Sequence, residues 1–108
     1  MRKLVSLLAV AALSVGLVLS SVAFGATKKV GVKGLTFTPK TISVKKGTTV
    51  KWAWRTGGVP HNVVGKGFKS KTAATVSFSK KFTRKGTYKY VCTIHARSFA
   101  MHGTIVVK

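Results

Sequence analysis

The stretch "GTYKYVCTIHARSFAMHGTIVV", residues 86–107, decides how the chain is read. Tyr88, Tyr90 and Cys92 share one parity, which marks a β-strand with one buried face. Thr104 to Val107 are β-branched throughout and read as a closing strand. Between these strands lie one cysteine, a histidine three positions later, and a Met-His-Gly triplet. Cys92 is the only cysteine in the chain, so no internal disulfide can form. Its neighbours define the question: what chemistry suits a lone thiol beside imidazole and thioether?

The same period of two recurs upstream. Val30 and Val32 alternate with Gly31 and Lys33, and Ile42 and Val44 with Ser43 and Lys45. After a turn at Lys46-Gly47-Thr48, Val50, Trp52 and Trp54 share one face, with Lys51, Ala53 and Arg55 on the other. Val76 and Phe78 alternate with serines. Short alternating segments separated by Gly-containing turns, with no helical period, predict an all-β protein, an antiparallel or mixed β-sandwich. The paired aromatics are core residues in this reading. Lysines on the outward faces discourage edge-to-edge pairing. "GKGFKSKT", residues 65–72, reads as a mobile loop.

Residues 1–25 read as a cleavable export signal. Met1-Arg2-Lys3 is basic, Leu4 to Val18 is apolar apart from two serines and a glycine, and Ala23-Phe24-Gly25 places small residues at a cleavage site. An uncleaved anchor is the other reading, because Leu4 to Phe24 is long enough to span a bilayer. The remainder, residues 26–108, is one small domain. In an oxidising compartment its single Cys calls for a reactive thiol, an intermolecular bridge or a metal ligand.

The chain carries 20 Lys and Arg and no Asp or Glu. Arg2 and Lys3 belong to the leader, which leaves 18 cations in the domain. They fall singly or in pairs, without a nucleic-acid-binding motif, so a general cationic surface is expected rather than a nucleic-acid site. The absence of carboxylates removes paired-acid catalysis and hard oxygen cages for calcium or magnesium. A nucleophilic dyad of Cys92 with His61 or His95, oriented by Asn62, remains conceivable. A metal accounts for more residues. Thiolate, imidazole and thioether favour copper, and a blue-copper centre takes two His and one Cys in a plane with a weak axial Met. Cys92, His95 and Met101 come from the quoted stretch, and His61 in "GGVPHNVV" supplies the second imidazole. Pro60 restricts the backbone just before it.

Here the chain resembles a known family. "FTPKTISVKKGTTVKWAWR", "PHNVV", "GTYKYVCTIH" and "MHGTIVV" are similar to the plastocyanin and amicyanin branch of the cupredoxins, from about Val30 onward. The resemblance implies a Greek-key β-sandwich with one type 1 copper ion at one end, serving as a soluble single-electron carrier. Its motifs place the ligands at His61, Cys92, His95 and Met101. By the same resemblance the Asn62 backbone amide bonds the thiolate, and its side chain ties the two ligand loops together. His95 would be the electron port, within an apolar patch of Val59, Pro60, Phe99 and Ala100.

One departure from the family stands out. Five residues, Ala96 to Ala100, separate His95 from Met101, against two in amicyanin-like members and four in plastocyanin-like ones. His102 is therefore a rival axial ligand, and an open axial position is a third possibility.

The expected product is an exported monomer, periplasmic or at the cell surface, without stable membrane insertion after cleavage. It is not expected to be an enzyme. An acidic-surfaced cytochrome or oxidase is the expected partner. Copper storage, delivery or protection, with the same site but no redox partner, is the alternative function. A secreted adhesion module for anionic polymers is a third.

Overall fold

A computed structural model describes residues 26–108, and the proposed export signal lies outside the described residues. Two sheets face each other. The first has the order β2-β1-β4-β7, with β1 Thr27–Lys33, β2 Thr36–Thr38, β4 Thr48–Arg55 and β7 Thr75–Phe82. The second has the order β3-β9-β8-β5-β6, with β3 Thr41–Val44, β5 Val64–Gly65, β6 Phe68–Lys69, β8 Gly86–Val91 and β9 His102–Val107. The pairing is mixed: β1 runs parallel to β4 and β3 parallel to β9, while the other ladders are antiparallel. The fold is thus the expected all-β sandwich.

Alternation in the sequence becomes alternation in burial. Along β4, Val50, Trp52 and Trp54 are buried while Ala53 and Arg55 are exposed. Trp52 fills the space between the sheets. Its ring stacks on Phe68 at 5.8 Å and meets Tyr90 edge-on at 5.3 Å. Aromatic contacts of this geometry add to the large apolar area each ring removes from water.

The predicted mobile loop at residues 65–72 is a correction. Residues 64–69 form the β5–β6 hairpin, Phe68 is buried against Trp52, and Ser70 is buried as well. The Val63 N–H donates to Ser70 Oγ at 2.8 Å, and Ser70 N–H donates to the Val63 carbonyl at 2.8 Å. Lysines and glycines make the segment look solvated, yet one buried ring and one buried hydroxyl fasten it to the sheet.

Strand directions give the sandwich two unlike ends. Arg55 pairs with Thr75 at one end of the β4–β7 ladder and Thr48 with Phe82 at the other. An eight-residue strand spans about 25 Å. His61 bridges Ala73 beyond the first end, and Cys92 follows β8 there. The turns after β3 and β7 close the second end, where Gly47 N–H donates to the Phe82 carbonyl at 2.7 Å.

Candidate metal centre

His61 is fixed by its own backbone. Its N–H donates to the Ala73 carbonyl at 3.1 Å, and the Ala73 N–H donates back at 3.2 Å. Trp54 Nε1 donates to the same carbonyl at 3.0 Å and presents its ring edge to the imidazole at 6.1 Å. The loop before it is tightened by the Thr56 hydroxyl, which donates to the Val59 carbonyl. His61 is therefore held by hydrogen bonds to residues 12 positions away, in addition to the restraint from Pro60.

Cys92 leaves β8 into a turn in which His95 N–H donates to the Cys92 carbonyl at 3.1 Å. That turn brings the His95 ring back over the sulfur. Cys92 Sγ lies 3.5 Å from His95 Nδ1 and 3.9 Å from His61 Nδ1. All three donor atoms fall within 4.8 Å of one another. A first-row ion bonded to sulfur at about 2.3 Å and to nitrogen at about 2.0 Å in a trigonal plane separates S and N by about 3.7 Å. The two measured separations straddle that value, so these side chains fit a metal with little rearrangement.

Met101 is brought in by the segment that departs from the family spacing. Ala96–Phe99 form a single helical turn, α1, with Phe99 N–H donating to the His95 carbonyl at 3.0 Å. Ala100 then adopts the left-handed conformation, φ 51° and ψ 43°, and turns the chain back. Cys92 N–H donates to the Met101 carbonyl at 3.0 Å, which sets the thioether residue beside the thiol residue. Met101 is buried, while its neighbour His102 is exposed at the start of β9. The extra residues coil up and leave Met101 on the inner face.

Around these side chains the electrostatics favour neutral imidazole. Burial, and secondarily the nearby His95, hold His61 below the usual histidine range. Its Nε2 is buried without a hydrogen-bond partner. No carbonyl or carboxylate bonds His61 Nε2, as commonly happens for metal-bound imidazoles; packing against Trp54 and His95 orients the ring.

The Asn62 side chain joins the loops as expected, whereas among the described residues its backbone N–H makes no hydrogen bond to the Cys92 sulfur. Its Nδ2 donates to Thr72 Oγ1 and to Thr93 Oγ1, both at 2.8 Å, and its Oδ1 accepts from Thr93 N–H at 2.8 Å. Thr72, Thr93 and Ala73 carry no sequence signal of their own and were not foreseen. Ile94 was also missed. Together with Val59 and Phe99 it is one of the three exposed large hydrophobic residues among the described residues. All three belong to the loops that carry His61 and His95. Pro60 and Ala100 are exposed beside them, as expected for the patch.

A two-sheet sandwich carrying two His, one Cys and one Met at one end has the donor set of a type 1 copper protein. Comparison with known proteins agrees. Residues 25–108 match the family described as copper binding proteins, plastocyanin/azurin family, and the chain belongs to that family. It is 36% identical over 85 residues to a halocyanin of Natronomonas pharaonis, covering 72% of this chain and 52% of the relative. The chain thus spans about half that protein's length. It is 33% identical over 88 residues to a plastocyanin of Scenedesmus fuscus, covering 68% of this chain and 88% of the relative.

Among solved structures, a reduced Cu(I) amicyanin variant superposes with TM-score 0.65 at 30% identity, covering 76% of this chain and 82% of the other. A copper-containing nitrite reductase of Thermus scotoductus also superposes, with TM-score 0.63 at 25% identity. That match covers 76% of this chain but 22% of the enzyme. Members of the family are mainly electron carriers, and copper is the cofactor that the family and the donor set define.

Proposed function

We propose that this protein is an exported single-electron carrier, with one copper ion held by His61, Cys92 and His95 and by Met101 as axial ligand. The observation that carries this reading is the preformed donor set. Three ligand atoms of the right chemical softness converge within 4.8 Å on a rigid sandwich. Copper bound there supplies the change between Cu(I) and Cu(II).

The chain supplies the rest. His61 and Cys92 are buried, so water is excluded from one side of the site, while His95 is half-buried. The Phe99 ring lies 6.0 Å from its ring, and Val59 and Ile94 are exposed on the two ligand loops. A partner can approach an imidazole edge through an apolar surface that is easily desolvated. Ladder and side-chain hydrogen bonds fix all the ligand loops, so the protein need not rearrange between two charge states. With no carboxylate on the chain, the partner that suits it is an acidic-surfaced redox protein. The sequence has no Asp or Glu for paired-acid catalysis, which supports a carrier over an enzyme.

The test is addition of Cu(II) to the purified protein with visible and electron-spin spectra. An intense thiolate-to-copper band is expected, absent in Cys92→Ser and altered in shape in Met101→Leu. A copper complex without that band, or one that survives Cys92→Ser, overturns the site. Ready transfer of the copper to an apo-acceptor, with slow electron exchange, would favour storage or delivery instead.

A further inference from the structure

The end of the sandwich opposite the metal has a character of its own. Lys66, Lys80, Lys81 and Arg84 surround a cleft of about 210 Å³ beside the β7–β8 turn. Lys28, Lys45 and Lys46 border a second cleft, of about 410 Å³, beside the β3–β4 turn. Lys85 and Lys108 lie at the same end, by the start of β8 and the end of β9. Since the chain has no Asp or Glu, nothing on its side chains neutralises this charge. The metal end is the converse. It carries fewer cations and all three exposed large hydrophobic residues.

We propose that this distal pole is a docking face for an anionic phospholipid surface, which holds the protein with its metal end turned outward. Three observations favour lipid over an acidic protein. The cations line concave clefts that suit tetrahedral headgroup phosphates, each able to accept several hydrogen bonds. Among the described residues the pole has no exposed large hydrophobic side chain with which to build the desolvated centre of a protein interface. The chain also enters the domain here, because Thr27 pairs with Thr49 at the start of β4. In the uncleaved reading of the leader, a bilayer holding that sequence would lie on the side of the domain at which Thr27 starts β1.

Juxtaposed basic residues each gain from an anionic leaflet, and the attraction falls off within a Debye length. Several acting together hold a protein without inserting it. The metal end, about 25 Å away along the strands, stays free for a redox partner. This inference stands whether or not the copper centre serves electron transfer.

The experiment measures cosedimentation of the copper-loaded protein, in the form the cell accumulates, with vesicles of mixed phosphatidylglycerol and phosphatidylcholine or of phosphatidylcholine alone. Two charge-matched variants are compared, each altering five exposed residues. One carries Lys45→Gln, Lys46→Gln, Lys81→Gln, Arg84→Gln and Lys85→Gln at the distal pole. The other carries Lys33→Gln, Lys40→Gln, Arg55→Gln, Lys71→Gln and Arg97→Gln toward the metal end. Any contribution of an apolar leader is common to both and insensitive to lipid charge.

The phosphatidylglycerol-dependent affinity should fall at least 100-fold in the distal variant and less than about fivefold in the other, at about 0.1 M salt. Equal losses in the two variants would mean an unoriented charge effect and overturn the proposal. So would a wild-type protein that does not prefer phosphatidylglycerol. A distal variant that loses binding to a short DNA duplex but keeps its vesicle binding would assign the pole to nucleic acid, and the proposal would fall.

Discussion

The Asn62 amide donates to two threonine hydroxyls and accepts from the Thr93 N–H, so one side chain holds the His61 loop to the Cys92 loop. Replacing it with alanine leaves that N–H without its partner and frees both hydroxyls. Loss of a buried hydrogen-bonded group of this kind costs about 1–3 kcal/mol. Asn62→Ala should therefore lower the stability of the copper-free protein by that amount in urea unfolding, and it should speed release of copper to a chelator. His61 adds a pH dependence. Its folded pKa lies below its ordinary value of 6.5, so the unfolded chain binds more protons as pH falls. Its contribution to stability is complete above about pH 6.5 and is lost as pH drops toward the depressed folded value. Urea midpoints of the copper-free protein should decline across that window, and His61→Gln should flatten the decline. At this scale much of the site was legible. Cys, His and Met are scarce in the domain and their chemistry is narrow, so His61, Cys92, His95 and Met101 stood out. Thr72 and Thr93 did not, because a hydroxyl has no distinctive spacing until the fold brings it beside a partner.

Between His95 and Met101 the governing unit is the element. Residues 96–100 are too few to show a period, so the sequence could count the extra residues but could not say whether they bulged, stretched or coiled. They coil into α1, and Ala100 reverses the chain in a left-handed conformation. That conformation costs a residue with a Cβ roughly 1–2 kcal/mol, and helices commonly end there with glycine. Ala100→Gly relieves the strain but gives the unfolded chain more freedom. The net expectation is about 0.5–1 kcal/mol of added stability, or about 2–8 °C in Tm for a domain of this size. The thiolate-to-copper band should be unchanged. If the variant were instead less stable with a shifted band, α1 would not be the device that returns Met101 to the site. The strands were more legible than this loop, because a period of two survives over eight residues, as in β4. The β5–β6 hairpin was hidden for the opposite reason: its strands are two residues each and its lysines resemble those of a loop.

At the scale of the whole molecule, charge decides two properties with opposite signs. The 18 cations of residues 26–108 have no side-chain carboxylate to pair with, so folding gathers like charges without forming intramolecular ion pairs. The usual route of acid unfolding, protonation of paired carboxylates, is missing, and apart from His61 mutual repulsion is the electrostatic term that remains. Salt shortens the range of that repulsion, from roughly 30 Å at 0.01 M to roughly 10 Å at 0.1 M. Thermal stability should therefore rise as sodium chloride goes from about 10 to about 300 mM. Over the same range the attraction to an acidic partner is screened, and the bimolecular electron-transfer rate should fall at least tenfold. Both quantities can be read from one preparation, by thermal unfolding and by stopped-flow reduction. A Tm that fell with salt would mean that salt screens a net attraction within the fold, and that repulsion is not the controlling term. A rate indifferent to salt would mean that the apolar surface around His95 carries recognition alone, with the lysines left to serve the opposite pole.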